Sequence, residues 1–73
     1  MLRKNFTLKF SVRLNHLLDI SNMTHRKLAR KTGISVNTID GYCVGKTAPS
    51  LYHACKIAKA LDITLDALVG GFD

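Results

Sequence analysis

The side chains that most often carry acid–base, nucleophilic or metal chemistry are scattered along this sequence. His16, His25 and His53 stand far apart, and no Ser/His/Asp arrangement or pair of carboxylates can be built around them. His53 and Cys55 are two residues apart, so they point to different sides of a helix, and Cys43 and Cys55 have no CxxC spacing. We therefore predict no enzyme activity, no catalytic residues, no metal site and no cofactor.

Charge is the stronger chemical signal. Eleven Lys and Arg residues stand against five Asp and no Glu, which gives a net charge of +6. Residues 1–31 hold eight of the bases and one acid, whereas residues 32–73 hold three bases and four acids. One strongly basic half on a small protein indicates a polyanionic partner, and nucleic acid is the first candidate. The alternative is that the positive charge serves solubility alone.

Length and composition exclude several classes of protein. Seventy-three residues suffice for one domain. No apolar run reaches the roughly 18–20 residues that a membrane span needs, and no secretory signal is recognisable. Two cysteines fall short of a disulfide framework, so we expect buried thiols and a reducing, cytoplasmic location without membrane contact.

Apolar periodicity and helix caps predict an all-α fold, a compact bundle of five short helices. Thr24, Ser35, Ser50 and Thr64 are suitable N-caps, and Gly33 is a suitable C-terminal stop. A flexible or extended tail is expected over residues 1–9, followed by a single domain over 10–73. The predicted helices cover residues 10–20, 25–32, 36–44, 51–61 and 65–69.

The central segment, residues 25–44, has the pattern of two short helices joined by a sharp corner. Gly33 can take the left-handed conformation that the corner needs, and Leu28, Ile34 and Ile39 are spaced to hold one helix across the other. In a helix-turn-helix the second helix protrudes from the surface of the bundle. A helix about 10–12 Å wide fits the B-DNA major groove, which is about 12 Å wide.

The same residues resemble the phage repressor/Cro family of helix-turn-helix domains, also called the xenobiotic-response-element-like family. The resemblance spans residues 14–69 without gaps and is strongest in THRKLA at 24–29, GIS at 33–35 and IAKALDITLDAL at 57–68. It implies a five-helix, lambda-repressor-like fold, a double-stranded operator DNA as ligand, and commonly a homodimer. The family often has a polar pair where this chain has Leu18 and Cys43, which we interpret as an apolar packing contact.

If the third helix enters the groove, its outer face supplies the candidate readers. Asn37 is the best of these, because its amide can bond adenine N6 and N7 together. Asp40 could accept from cytosine N4, or it could pair with Lys31 or Lys46. The predicted base contacts are Val36, Asn37, Asp40 and Gly41. The predicted phosphate contacts are Thr24, His25, Ser35, Thr38, Lys46 and Thr47.

Two questions of partnership stay open in the sequence. The same fold could serve as an antitoxin-like or other protein-interaction module, with a protein partner instead of DNA. A single recognition helix reads only a few base pairs, so a regulator would be expected to act as a dimer. The candidate dimer surfaces are the 6–10 edge and the C-terminal residues Leu65, Leu68, Val69 and Phe72, which could equally close the core.

Overall fold

Five α-helices make up the regular secondary structure of the part of the chain that the structure describes. The structure is a computed structural model that describes residues 2–70, with side chains described over residues 5–70. No strand occurs within that range, so the predicted all-α, five-helix fold is confirmed. The helices are α1 (Leu2–Ile20), α2 (His25–Thr32), α3 (Val36–Cys43), α4 (Leu51–Ala60) and α5 (Leu65–Val69).

Helix α1 begins well before its predicted start at residue 10. The expectation of an extended tail is therefore wrong for residues 2–9, while residue 1 lies outside the described residues. Phe6, Leu8, Phe10 and Val12 alternate along the sequence, a period of two that is typical of a strand. In α1, however, Phe6 and Phe10 are about one helical turn apart, and their rings stack with centroids 5.9 Å apart. Leu8 and Val12, the other members of the alternation, are exposed.

Local capping fixes the start of each following helix as predicted. The hydroxyls of Thr24, Ser35, Ser50 and Thr64 each accept a hydrogen bond from the backbone N–H three residues later. Such side chains satisfy amides that have no partner inside the helix. Helix α3 ends at Cys43 and α4 at Ala60, each one residue before its predicted end, and the next residue acts as the C-cap.

All five helices contribute to one hydrophobic core. Leu18 and Cys43 are both buried in it, and the contact between them stays a prediction. On α4, Ala54, Ile57 and Ala58 are buried whereas Leu51 and Cys55 are exposed, so the expectation of buried thiols is wrong for Cys55. The largest fully buried side chains are Phe10, Leu14, Leu28, Ile39, Ile57 and Leu68.

Long polar side chains tie the ends of helices to their neighbours. Arg13 on α1 donates from Nε and Nη2 to the carbonyl of Ala67, at 3.0 and 2.6 Å. Arg13 therefore links α1 to α5. Lys56 on α4 donates to the carbonyl of Thr32 at 3.0 Å and so caps the end of α2. In the described range, no helix is long and apolar enough to cross a membrane.

Candidate nucleic-acid interface

The corner between α2 and α3 depends on one backbone conformation and one buried hydroxyl. Gly33 has φ 77° and ψ 6°, in the left-handed region, and its N–H donates to the carbonyl of Ala29. The Thr32 hydroxyl donates to the carbonyl of Leu28 at 2.8 Å and accepts from the Ile34 N–H at 3.2 Å. Ile34 is buried. These contacts set the direction in which α3 leaves the corner.

Helix α3 is buried along one face and exposed along the other. Ile39, Tyr42 and Cys43 lie in the core, whereas Asn37 and Asp40 are exposed. The exposed face therefore has polar groups available to a ligand while the opposite face is held. Of the remaining predicted base contacts, Val36 and Gly41 are half-buried.

Two hydrogen bonds from other helices hold the far end of α3. The Asn15 side chain on α1 donates to the carbonyl of Cys43 at 2.8 Å. The Tyr42 hydroxyl lies 2.7 Å from Nδ1 of His53 on α4. Neither Asn15 nor His53 was predicted to matter. The bonds join residues 28 and 11 positions apart in the chain, so no periodicity or cap in the sequence could have indicated them.

His25 and Asp40, predicted separately as a phosphate contact and a base contact, bind each other. Nδ1 of His25 at the start of α2 lies 2.7 Å from Oδ1 of Asp40 in α3, and the two side chains are 40% and 51% exposed. The predicted partner of Asp40 was Lys31 or Lys46, and that alternative is corrected by this contact. The pair joins the first turn of α2 to the exposed face of α3.

The hydroxyl candidates for phosphate contact are already used as helix caps. Thr24 Oγ1 accepts from the Lys27 N–H at 3.1 Å. Ser35 Oγ accepts from the Thr38 N–H at 3.2 Å and lies 2.8 Å from the Thr38 hydroxyl. Thr24 and Ser35 are nevertheless exposed and Thr38 is half-buried. A hydroxyl that accepts one bond still has a proton to donate and a second lone pair, so these groups can also contact an anion.

The segment after α3 forms the edge of an open groove. The groove has a volume of about 420 Å³, and its lining includes Asn37 and Gly41 from α3 and Lys46 and Thr47 from the loop. Lys46 and Thr47 are exposed. A predicted base reader and two predicted phosphate contacts thus lie around the same concave surface, although they come from different local structures.

Burial governs the ionisation of the two titratable side chains that face inward from α3. Burial of the Cys43 thiol, followed by the negative charge of Asp40, raises its pKa from 9.0 to about 11. Burial also raises the pKa of the Tyr42 hydroxyl. Both groups are therefore neutral near pH 7. In the described residues, no three His, Cys, Asp or Glu side chains group closely enough to hold a metal ion.

Comparison with known proteins identifies the architecture. A family model described as Helix-turn-helix matches residues 14–68. The chain belongs to the helix-turn-helix family. The resemblance predicted from THRKLA, GIS and the 57–68 segment is thereby confirmed.

Several curated relatives of this helix-turn-helix chain are regulators of mobile elements. The HTH-type transcriptional regulators for conjugative element SXT of Vibrio cholerae and for conjugative element pMERPH of Shewanella putrefaciens are each 41% identical over 61 residues, which is 84% of this chain. The cryptic phage CTXphi transcriptional repressor RstR of Vibrio cholerae is 33% identical over 63 residues, 86% of this chain.

The relatives are longer than this chain. The match spans 28% of the length of each conjugative-element regulator and 56% of the length of RstR. No solved structure gives a significant match.

Proposed function

We propose that this helix-turn-helix chain binds double-stranded DNA sequence-specifically and regulates transcription, as a repressor, with α3 in the major groove. The observation that carries the proposal is the division of α3 into a face locked in the core and a face that is exposed. The relatives named as transcriptional regulators and as a repressor support the same role. The proposal places the protein in the cytoplasm.

In this proposal Asn37 is the principal reader of bases. Its side chain is exposed near the start of α3 and borders the groove that Gly41 also lines. Its amide can bond adenine at two points, because the side-chain oxygen accepts from the N6 amino group while the side-chain nitrogen donates to N7. Val36 would contact a thymine methyl, and Gly41 would let a base edge approach. Asp40 keeps Oδ2 for a cytosine N4 while Oδ1 contacts His25.

Phosphate contacts would supply register and much of the affinity. We assign them to Thr24 and His25 at the start of α2, Ser35 and Thr38 at the start of α3, and Lys46 and Thr47 beyond its end. The first two sets lie at helix N-termini, where free amides and the helix dipole favour anions. The third set lies on the rim of the groove beside α3. Such contacts position a protein on DNA without reading sequence.

The same proposal includes a homodimer. Two copies with recognition helices about 34 Å apart would read two half-sites one turn apart. Of the two candidate surfaces, the C-terminal one is largely used by the core, since Leu68 is fully buried, and Phe72 lies outside the described residues. On α1, Leu8 and Val12 remain exposed. We therefore place the dimer contact on α1. Sedimentation of the free protein measures whether the dimer forms.

Selection of bound duplexes from a random pool tests the proposed function. We expect enrichment of one sequence pattern, and affinity for it that falls steeply as salt rises, because bound phosphates release counterions. A scrambled duplex of the same length is the control and should bind more weakly at every salt concentration. A pool that shows no enrichment, together with a stable complex with a protein partner in the absence of DNA, would instead favour the antitoxin-like interaction module.

A further inference from the structure

We propose that DNA binding by this chain takes up one proton, which His25 holds between the carboxylate of Asp40 and a DNA phosphate. The inference rests on the proposed function and concerns how the same surface is regulated. Its structural basis is the 2.7 Å contact between His25 Nδ1 and Asp40 Oδ1 on the exposed side of the α2–α3 unit.

The contact decides which ring nitrogen carries a proton. A carboxylate accepts hydrogen bonds, so Nδ1 of His25 must be the protonated nitrogen in this pair. In the neutral ring, Nε2 then has only a lone pair, which a phosphate oxygen would repel. In the imidazolium both nitrogens donate. His25 can therefore bond Asp40 and a phosphate together only after it has taken a proton from the solvent.

His25 lies at a helix N-terminus, which favours the binding of an anion. His25 is the first residue of α2, directly after the Thr24 cap, where free amides attract anions. Its side chain is 40% exposed, so the pair is accessible to a ligand. A nearby phosphate and the carboxylate both favour the charged ring, which couples binding to protonation.

Charged side chains lie on α2 and on the two helices packed against it. Arg26 and Lys27 follow His25 on α2, and both are exposed. From α3, Asp40 is the facing acid, and its charge also acts on the Cys43 thiol. From α4, Lys56 contacts the opposite end of α2 at Thr32.

The test measures affinity for the selected duplex by fluorescence anisotropy between pH 6.5 and 8.0 at constant ionic strength. We expect wild-type affinity to fall about tenfold as pH rises over this range, because a binding step that takes up a proton weakens as the proton concentration falls. His25→Gln should remove most of this dependence, since an amide N–H donates to phosphate without titrating. His16→Gln, which removes an exposed histidine on α1, should retain it.

Asp40→Asn tests whether Asp40 acts on His25 through its negative charge or only through its hydrogen bond. The amide oxygen can still accept from Nδ1, but the negative charge that favours the imidazolium is lost. We therefore expect DNA affinity to begin falling at a lower pH in this variant than in wild type. A purely structural role of Asp40 would instead change the affinity equally at every pH. Thermal unfolding of each variant checks that the fold is retained.

The outcomes distinguish this inference from the proposed function. Specific, salt-dependent binding that does not vary with pH, or a pH dependence that survives His25→Gln, would overturn the proton linkage and leave the DNA-binding function standing. Absence of duplex binding at every pH and at low salt would overturn both.

Discussion

The two faces of α3 differ in what they contact and in what they can encode. The inner face places Ile39, Tyr42 and Cys43 in the core, and the outer face leaves Asn37 and Asp40 accessible. Substitution on the inner face disturbs packing that all five helices share. Substitution on the outer face leaves that packing intact. A helix of eight residues can thus be held rigidly while its ligand specificity changes independently.

The largest effect should come from removing an inner-face side chain. Ile39 is fully buried, so Ile39→Ala should lower the free energy of unfolding by about 2–5 kcal/mol, through lost burial and the cavity left behind. Urea denaturation measures this change. Asn37→Ala on the exposed face is the matched control, and it should stay within about 0.5 kcal/mol of wild type. Equal losses in both variants would contradict the division between faces.

Thiol reactivity should distinguish an inward side chain from an exposed one. Cys43 is buried and its pKa is raised from 9.0 to about 11, which lowers its thiolate fraction at pH 8 about 100-fold relative to an ordinary thiol. Cys55 is exposed. Iodoacetamide should therefore alkylate Cys55 at least about 100-fold faster, as followed by mass spectrometry of peptides. Cys43 should react faster as pH rises toward 11. Comparable rates in the native protein would mean that α3 does not bury its inner face.

On the outer face, base readers and phosphate contacts should respond differently to truncation. Asn37→Ala should reduce discrimination at one base-pair position by about 1–3 kcal/mol. Lys46→Ala should weaken binding to all sequences alike and reduce the slope of log affinity against log salt by about one unit. Titrations of the selected duplex and its single-base variants at several salt concentrations measure both. If the two substitutions affect every duplex equally, the assignment of Asn37 to base reading is wrong.

The corner before α3 gives a smaller effect, with a control inside the helix. Gly33→Ala should cost about 1–2 kcal/mol, because φ of 77° is unfavourable for a residue with Cβ. Space is available there, since an added Cβ would lie 3.9 Å from Lys56 Nζ. Gly41→Ala lies within α3, where alanine is favoured by about 1 kcal/mol over glycine, and its Cβ would lie 3.4 Å from Thr47 Oγ1. Calorimetric melting should lower the midpoint for the first variant and not for the second.

The elements that local chemistry determines could be predicted from the sequence. Helices α2 and α5 have their predicted bounds, because Thr24, Gly33 and Thr64 each act through backbone groups a few residues away. The start of α1 could not be predicted in this way. Its alternating apolar residues fit a strand as well as a helix. In the structure Phe6 packs against the core while Leu8 is exposed, so packing against the other helices decides for the helix.

In the candidate site, too, features within one helix could be predicted and contacts between helices could not. The exposure of Asn37 and Asp40 follows from helical spacing around Ile39, so the pattern was sufficient. The His25–Asp40 contact joins side chains 15 residues apart on two helices. It depends on the angle between α2 and α3, which the corner and the core fix together. The spacing of residues within one helix does not determine the angle between two helices, so the contact could not be predicted from the sequence pattern.

The most direct test of the account maps the DNA-bound surface by NMR, through amide chemical shifts of the protein with and without the selected duplex. We predict the largest changes in residues 35–41, with further changes in residues 24–27 and 46–47, and almost none in α5 (Leu65–Val69). Large changes centred on α4 and α5, with the exposed face of α3 unaffected, would contradict the claim that α3 contacts DNA.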